Sequence, residues 1–148
     1  MGFFIAHFYV TILIMEMEFV IQGKPVAKQS TKFCRNGFAY TPAHIKEYSN
    51  WVRLCFMQNF AGFEPLTVPL AIEIHAFFEV PKSFSKKKTQ QALNCEIFPT
   101  VKPDCDNISK NILDSLNKIA YLDDRQVVCL VVKKMYAEKA FVKVKIKY

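Results

Sequence analysis

The chain alternates apolar and polar residues along some stretches and repeats apolar residues at helical spacing along others. Phe19 and Ile21 alternate with polar neighbours between Glu18 and Gln22, and Gly23 ends the run, which predicts a strand followed by a turn. Asn36-Gly37, between Phe33 and Phe38-Ala39-Tyr40, predicts a hairpin tip. Thr41-Pro42 predicts a helix start, with Thr41 as N-cap and Pro42 in the first position. Ile45, Tyr48, Val52, Cys55 and Phe56 then recur at helical spacing up to about Phe60. Leu70, Ile72, Ile74, Ala76 and Phe78 alternate with Glu73, His75 and Glu79, as in a half-buried strand.

A long connection runs from Pro81 to Pro103, where Ser83 or Ser85 is placed to cap a short helix through Lys86-Lys87-Lys88. So long a connection in a compact domain is usually functional or mobile. Ile108, Ile112, Leu113 and Leu116 form the buried stripe of a helix expected over Asp106–Asn117, with Asp106 at the positive end of its dipole. Val127 to Val132 is continuously apolar and reads as a central strand. Val142, Val144 and Ile146 alternate with Lys143, Lys145 and Lys147, which reads as a half-exposed edge strand whose lysines discourage aggregation. The sum is an α+β single domain: one mixed or antiparallel sheet with two main helices.

Composition narrows the class. With 148 residues and 51% hydrophobic positions, the chain suits one folded domain rather than a disordered segment. A net charge of +7 favours an anionic partner, nucleic acid being the commonest. Cys34, Cys55, Cys95, Cys105 and Cys129 are scattered, without a CxxC pair, which suits reduced, mostly buried, inert thiols and not a zinc module. Trp51, Phe33 and the other aromatics are expected in the core. Residues 2–15 are almost wholly apolar but shorter than a membrane span, and they lack the basic start and cleavage site of a signal peptide. The expectation is an apolar extension over residues 1–16, from a start set too early, before a domain at 17–148. The alternative is an extra element packed on the core or a partner.

The chemistry concentrates in Lys102-Pro103-Asp104-Cys105-Asp106-Asn107, then Lys110 and Asp114, then Asp123-Asp124. A basic protein that binds polyphosphate gains nothing from bare carboxylates at the point of approach, because they repel phosphate. A divalent cation between them reverses the argument, since Mg²⁺ prefers carboxylate oxygens and contacts substrate phosphate directly. Asp104 and Asp106, two apart, would point to one side of an extended segment. Lys110 lies one helical turn beyond Asp106, where it can hold the scissile phosphate or offset developing charge. Asp124 joins them if the following strand runs back alongside.

Each of these features has a plainer explanation. Asp-x-Asp can be an N-cap with a solvated neighbour, and Asp123-Asp124 a turn. Asp114, among apolar positions, reads as a structural hydrogen-bonding residue rather than a ligand. Lys24, Lys28, Lys32, Lys86, Lys87 and Lys88 serve equally as a solvated face or as contacts to DNA phosphates.

The segments at 102–117 and 120–128, Lys-Pro-Asp-Cys-Asp-Asn-Ile-Ser-Lys-Asn-Ile-Leu-Asp-Ser-Leu-Asn and Ala-Tyr-Leu-Asp-Asp-Arg-Gln-Val-Val, closely resemble the signature of the RusA family of Holliday junction resolvases. Residues 77–88, 21–29 and 40–43 resemble the family's preceding segments, so the likeness runs from about residue 17 to the C-terminus. The resemblance implies a RusA-like fold and a homodimer that makes paired symmetric nicks in four-way DNA junctions with Mg²⁺ or Mn²⁺, in recombination and repair. It implies Asp104, Asp106 and Asp124 as metal-binding and catalytic carboxylates and Lys110 as the catalytic lysine. Asp123 and Asn107 stand in a second rank. It further implies a cytoplasmic, often prophage-encoded enzyme with no membrane and no small-molecule cofactor. Residues 1–14 match nothing in the family pattern, and Cys105 stands where an aliphatic residue is commoner. The alternatives are a non-catalytic branched-DNA-binding protein of the same fold, or a nucleotide hydrolase. The hydrolase is weakened by the lack of a Gly-rich phosphate loop.

Overall fold

The computed structural model describes residues 15–28 and 41–148, together with the backbone of 32–33 and 39–40. In chain order the elements are β1 (Glu16–Gln22), β2 (Lys32–Phe33), β3 (Ala39–Tyr40), α1 (Ala43–Asn59), β4 (Leu70–Glu79), α2 (Lys86–Leu93), α3 (Cys105–Leu116), a 3-10 turn (Asp124–Gln126), β5 (Val127–Ala137) and β6 (Phe141–Lys147). The main sheet has the order β1-β6-β4-β5. β4 and β5 are parallel, and the other neighbours are antiparallel. The α+β class and mixed sheet expected from the sequence are therefore present. β2 and β3 pair antiparallel, as the expected hairpin requires. Its tip, Asn36-Gly37, lies outside the described residues, as do Cys34, Arg35 and the apolar segment 1–14.

Alternation builds the core. Phe19 and Ile21 of β1, Leu70, Ile72, Ile74 and Ala76 of β4, and Val142, Val144 and Ile146 of β6 all bury their side chains. Against them lie Tyr48, Val52, Cys55 and Phe56 of α1 and Ile108, Ile112 and Leu116 of α3. Phe19 and Phe56 meet edge-on with centroids 5.4 Å apart. Gly23 closes β1 at a φ of 105°, a backbone that favours glycine, and its N–H donates to Ala140 O at 3.1 Å.

Several local expectations are corrected. Pro42, not Thr41, is the N-cap of α1, because its ψ of 142° is extended and helical dihedrals begin at Ala43. α3 starts at Cys105, one residue early, so Asp104 is its N-cap residue. Asp104 and Asp106 are thus not two positions of an extended segment. Ser85 caps α2, accepting from Lys88 N at 3.3 Å. Trp51 is exposed rather than core, and its indole N–H donates to Gln22 O at 2.9 Å. Of the described cysteines, Cys55 is buried, Cys105 is half-buried, and Cys95 and Cys129 are exposed, so mostly buried thiols is wrong for this set.

The edge and the centre of the sheet are also exchanged relative to expectation. β6 is central, between β1 and β4, and its lysines are matched by carboxylates on neighbouring strands. Lys143 reaches Glu18 at 2.9 Å, Lys145 reaches Glu16 at 3.0 Å, and Lys147 reaches Glu73 at 2.6 Å. Cross-strand ion pairing lets a half-charged strand sit inside a sheet. The apolar β5 is the outer strand, with Val128 73% and Leu130 42% exposed.

The parallel pairing of β4 and β5 explains the long connection. Parallel neighbours need a crossover. Here it holds α2, α3 and the acidic sequence, so the segment that reads as a long loop is the limb carrying the candidate chemistry.

Candidate active site

The segment after β1 is held along α3 by three contacts. Asn111 Nδ2 donates to Val26 O at 3.0 Å, Lys28 N donates to Asn107 O at 2.8 Å, and Lys28 Nζ pairs with Asp114 Oδ2 at 2.9 Å. Asn111 is fully buried, and its Oδ1 accepts from Ser49 Oγ of α1 at 3.2 Å. Lys24 and Lys28 are thereby brought beside the start of α3. Asp114 is an ion-pair partner, in keeping with a structural role.

Asp104 caps the positive end of α3 by position, though its side chain makes no cap bond to the backbone N–H groups of the first turn. Its Oδ1 instead accepts from Asn107 Nδ2 at 2.8 Å. That hydrogen bond, then its own backbone N–H, and then the charges of Lys102 and Lys134 hold the Asp104 carboxyl below the usual carboxylate range. Asp106 lies in the first turn, where the helix dipole favours an anion. Asp104, Asp106 and Lys110 are all exposed. Asp106, Lys110 and Asp114 are spaced by four and form one row along the helix. Asp104, Asn107, Lys24, Lys28 and Lys102 line a single cavity of about 590 Å³.

The second acidic pair is split in role. Asp123 caps the 3-10 turn: its Oδ1 accepts from Arg125 N at 3.0 Å, and Gln126 Oε1 accepts from its N–H at 2.9 Å. It also pairs with Arg125 Nε at 2.8 Å. These donors, the Arg125 side chain first, hold its carboxyl below the usual range. Asp123 is thus occupied structurally. Asp124, half-buried, is the first residue of the turn. Tyr121 lies beneath, fully buried, its hydroxyl donating to Leu113 O at 2.9 Å. Burial pushes this phenol above the usual tyrosine range, and the charges of Asp124 and Asp114 push it further. The charges of Asp124 and Asp114 thus both act on Tyr121, whose hydroxyl is bonded to Leu113 in the last turn of α3.

The basic candidates divide as well. Lys86, Lys87 and Lys88 are exposed on α2, and Lys88 Nζ lies 4.1 Å from the centre of the Phe84 ring. They stand on a different element from the Asp104 cavity. Lys32 is placed by its backbone in β2, and its side chain is outside the described set. Two lysines near Asp104 were not foreseen as contacts. Lys102 stands in the acidic motif itself, two residues before Asp104. Lys134 of β5 donates to Val101 O and lies 5.1 Å from the centre of the Phe78 ring. No sequence spacing could bring it to residue 104, because only the crossover does so.

The chain matches the family model of endodeoxyribonuclease RusA over residues 22–147, nearly its whole length. It belongs to the RusA family. It is also similar to an uncharacterized protein, YqaN, of Bacillus subtilis strain 168, at 36% identity over 139 residues, covering 88% of this chain and 95% of that protein. Membership in the RusA family makes the chain one of a group of endodeoxyribonucleases, which are generally divalent-metal dependent.

The donor chemistry of this RusA-family chain fits such a metal. Asp104 and Asp106 offer exposed carboxylate oxygens at one helix end, and Mg²⁺ takes one or two carboxylates while keeping waters. A three-residue cage is not formed: among the described residues, no group of three His, Cys, Asp or Glu side chains stands close enough to hold an ion. Nor is any described helix long and apolar enough to cross a membrane.

Proposed function

We propose that the chain is a Mg²⁺-dependent endodeoxyribonuclease that resolves four-way DNA junctions as a homodimer, by paired symmetric nicks, in the cytoplasm of a bacterial cell. The observation that carries this reading is Asp104 at the positive end of α3, on a cavity that Lys24, Lys28 and Lys102 also line, with the exposed Asp106 in the first turn of the same helix. The lysines draw phosphate in, and the carboxylates hold the ion that phosphate needs in order to approach them. Asp104 and Asp106 would hold the Mg²⁺, or Mn²⁺ in its place, and the ion would supply polarisation of a phosphoryl oxygen and activation of water. Asn107 keeps Asp104 ionised and oriented. Lys110, one turn on from Asp106, holds the scissile phosphate. Asp124 would offer the ion a further carboxylate. A two-fold dimer sets two such sites against the near-symmetric arms of the junction.

The test is cleavage of a synthetic four-way junction, with linear duplex as control. Asp106→Asn is expected to lose cutting by at least a hundredfold while binding the junction as tightly as the parent chain or more tightly, and EDTA is expected to stop the parent chain. Wild-type rates in Asp106→Asn would remove the site, and cutting in EDTA would remove the metal. One second reading is a junction-binding protein of the same fold that does not cut, since among the described residues no three candidate ligands are gathered round one point. Tight binding without nicks in Mg²⁺ or Mn²⁺ would select it.

A further inference from the structure

Beside the cavity that opens on Asp104 lies a second, of about 360 Å³, and the two share a wall made of Lys24, Pro25, Lys102 and Pro103. The second cavity contains none of the proposed catalytic residues. Its size falls in the roughly 300–1,000 Å³ range of small-molecule sites. Its lining combines apolar residues, among them Pro25, Phe78 and Pro103, with Lys24, Lys82 and Lys102. Glu79 is the carboxylate among its described lining residues, against three lysines. Phe78 is braced between the core and Lys134, whose ammonium lies 5.1 Å from the ring centre.

We infer that this cavity is a binding subsite for one unpaired nucleotide of the DNA strand whose phosphate is cut at Asp104. The inference rests on the function proposed above and adds to it a site for a base. Apolar lining residues accept the face of a base, and lysines among them accept the phosphates on either side of it. A base stacked within a duplex has no free face to offer an apolar wall, so the occupant is a single base that has left its stack. Leaving the stack is least costly where pairing is already broken, and a branch point supplies that condition. Lys24 and Lys102, shared by both cavities, put the base beside the cavity that opens on Asp104. The subsite thus gives the enzyme a preference for branched over linear DNA.

The experiment uses the full chain with four-way junctions carrying 2-aminopurine, one position at a time, on either side of the branch point, without divalent cation. Emission of this base rises when it leaves its neighbours. The expected result is a severalfold rise at one position on binding the parent chain. That rise should be lost in Val80→Trp, which fills the cavity, and weakened in Lys82→Glu, a change at an exposed lining residue that keeps the interior intact. Both variants should cut junctions more slowly while retaining Asp104 and Asp106. Junction binding with no rise at any position would overturn the subsite and leave the proposed function standing, as would an undiminished rise in both variants. Failure of the parent chain to bind junctions would overturn both.

Discussion

Asn111 joins three parts of the chain through one buried side chain: α3, the carbonyl of Val26 and the hydroxyl of Ser49. Removing it leaves an acceptor and a donor without partners, which typically costs about 1–3 kcal/mol. Asn111→Ala is therefore expected to lower the urea midpoint at unchanged slope and to weaken DNA binding, because Lys24 and Lys28 lose their anchor beside Asp104. Asp114→Ala should do much less to stability, under about 1 kcal/mol, since its pair with Lys28 is about one-third exposed at both ends. Equal losses from the two changes would contradict this ranking. At this scale the sequence was informative about residue type and less so about role. Four aspartates with a lysine among them announce metal and phosphate chemistry, yet nothing in Asp123-Asp124 says which one caps a turn. That division depends on Arg125 and Gln126 bonding back to Asp123, a property of the folded turn.

Helix stripes and strand alternation were readable because they report which face is buried. They do not report which strand is the neighbour. β6 looks like an edge because its lysines alternate outward, and it is central because Glu16, Glu18 and Glu73 lie opposite them. β5 looks central because it is apolar, and it is the outer strand. The ion pairs carry a pH consequence. Hydrogen bonding from Lys143 first, with the nearby lysine charges, lowers the Glu18 pKa, and Lys147 does the same for Glu73. A carboxyl lowered on folding contributes stability above its unfolded value, near 4.3, and that contribution fades as pH falls through the lower folded value. Stability should therefore drop below about pH 4. Replacing Lys143, Lys145 and Lys147 together by Gln should flatten that drop, as measured by thermal melts across pH. A drop that remained as steep would deny these pairs a part in it.

For the molecule as a whole, the parallel β4–β5 pair dictates the rest. It forces a crossover, and the crossover carries α3 to the segment after β1, so that two distant stretches of basic and acidic residues share one cavity. Chain order alone hides this, and it is why Lys134 and Lys82 gave no signal. A site built on phosphate contacts predicts strong salt dependence. Junction affinity should fall about a thousandfold or more between 50 and 200 mM salt if on the order of six phosphates are neutralised. A flat salt profile in a binding titration would contradict that origin of affinity. The most direct measurement is the anomalous scattering of Mn²⁺ in crystals of the chain bound to a four-way junction. The expected result is an ion coordinated by Asp104 and Asp106, with an Asp124 oxygen in the same shell. An ion bound elsewhere, or Asp124 turned away from it, would contradict the account.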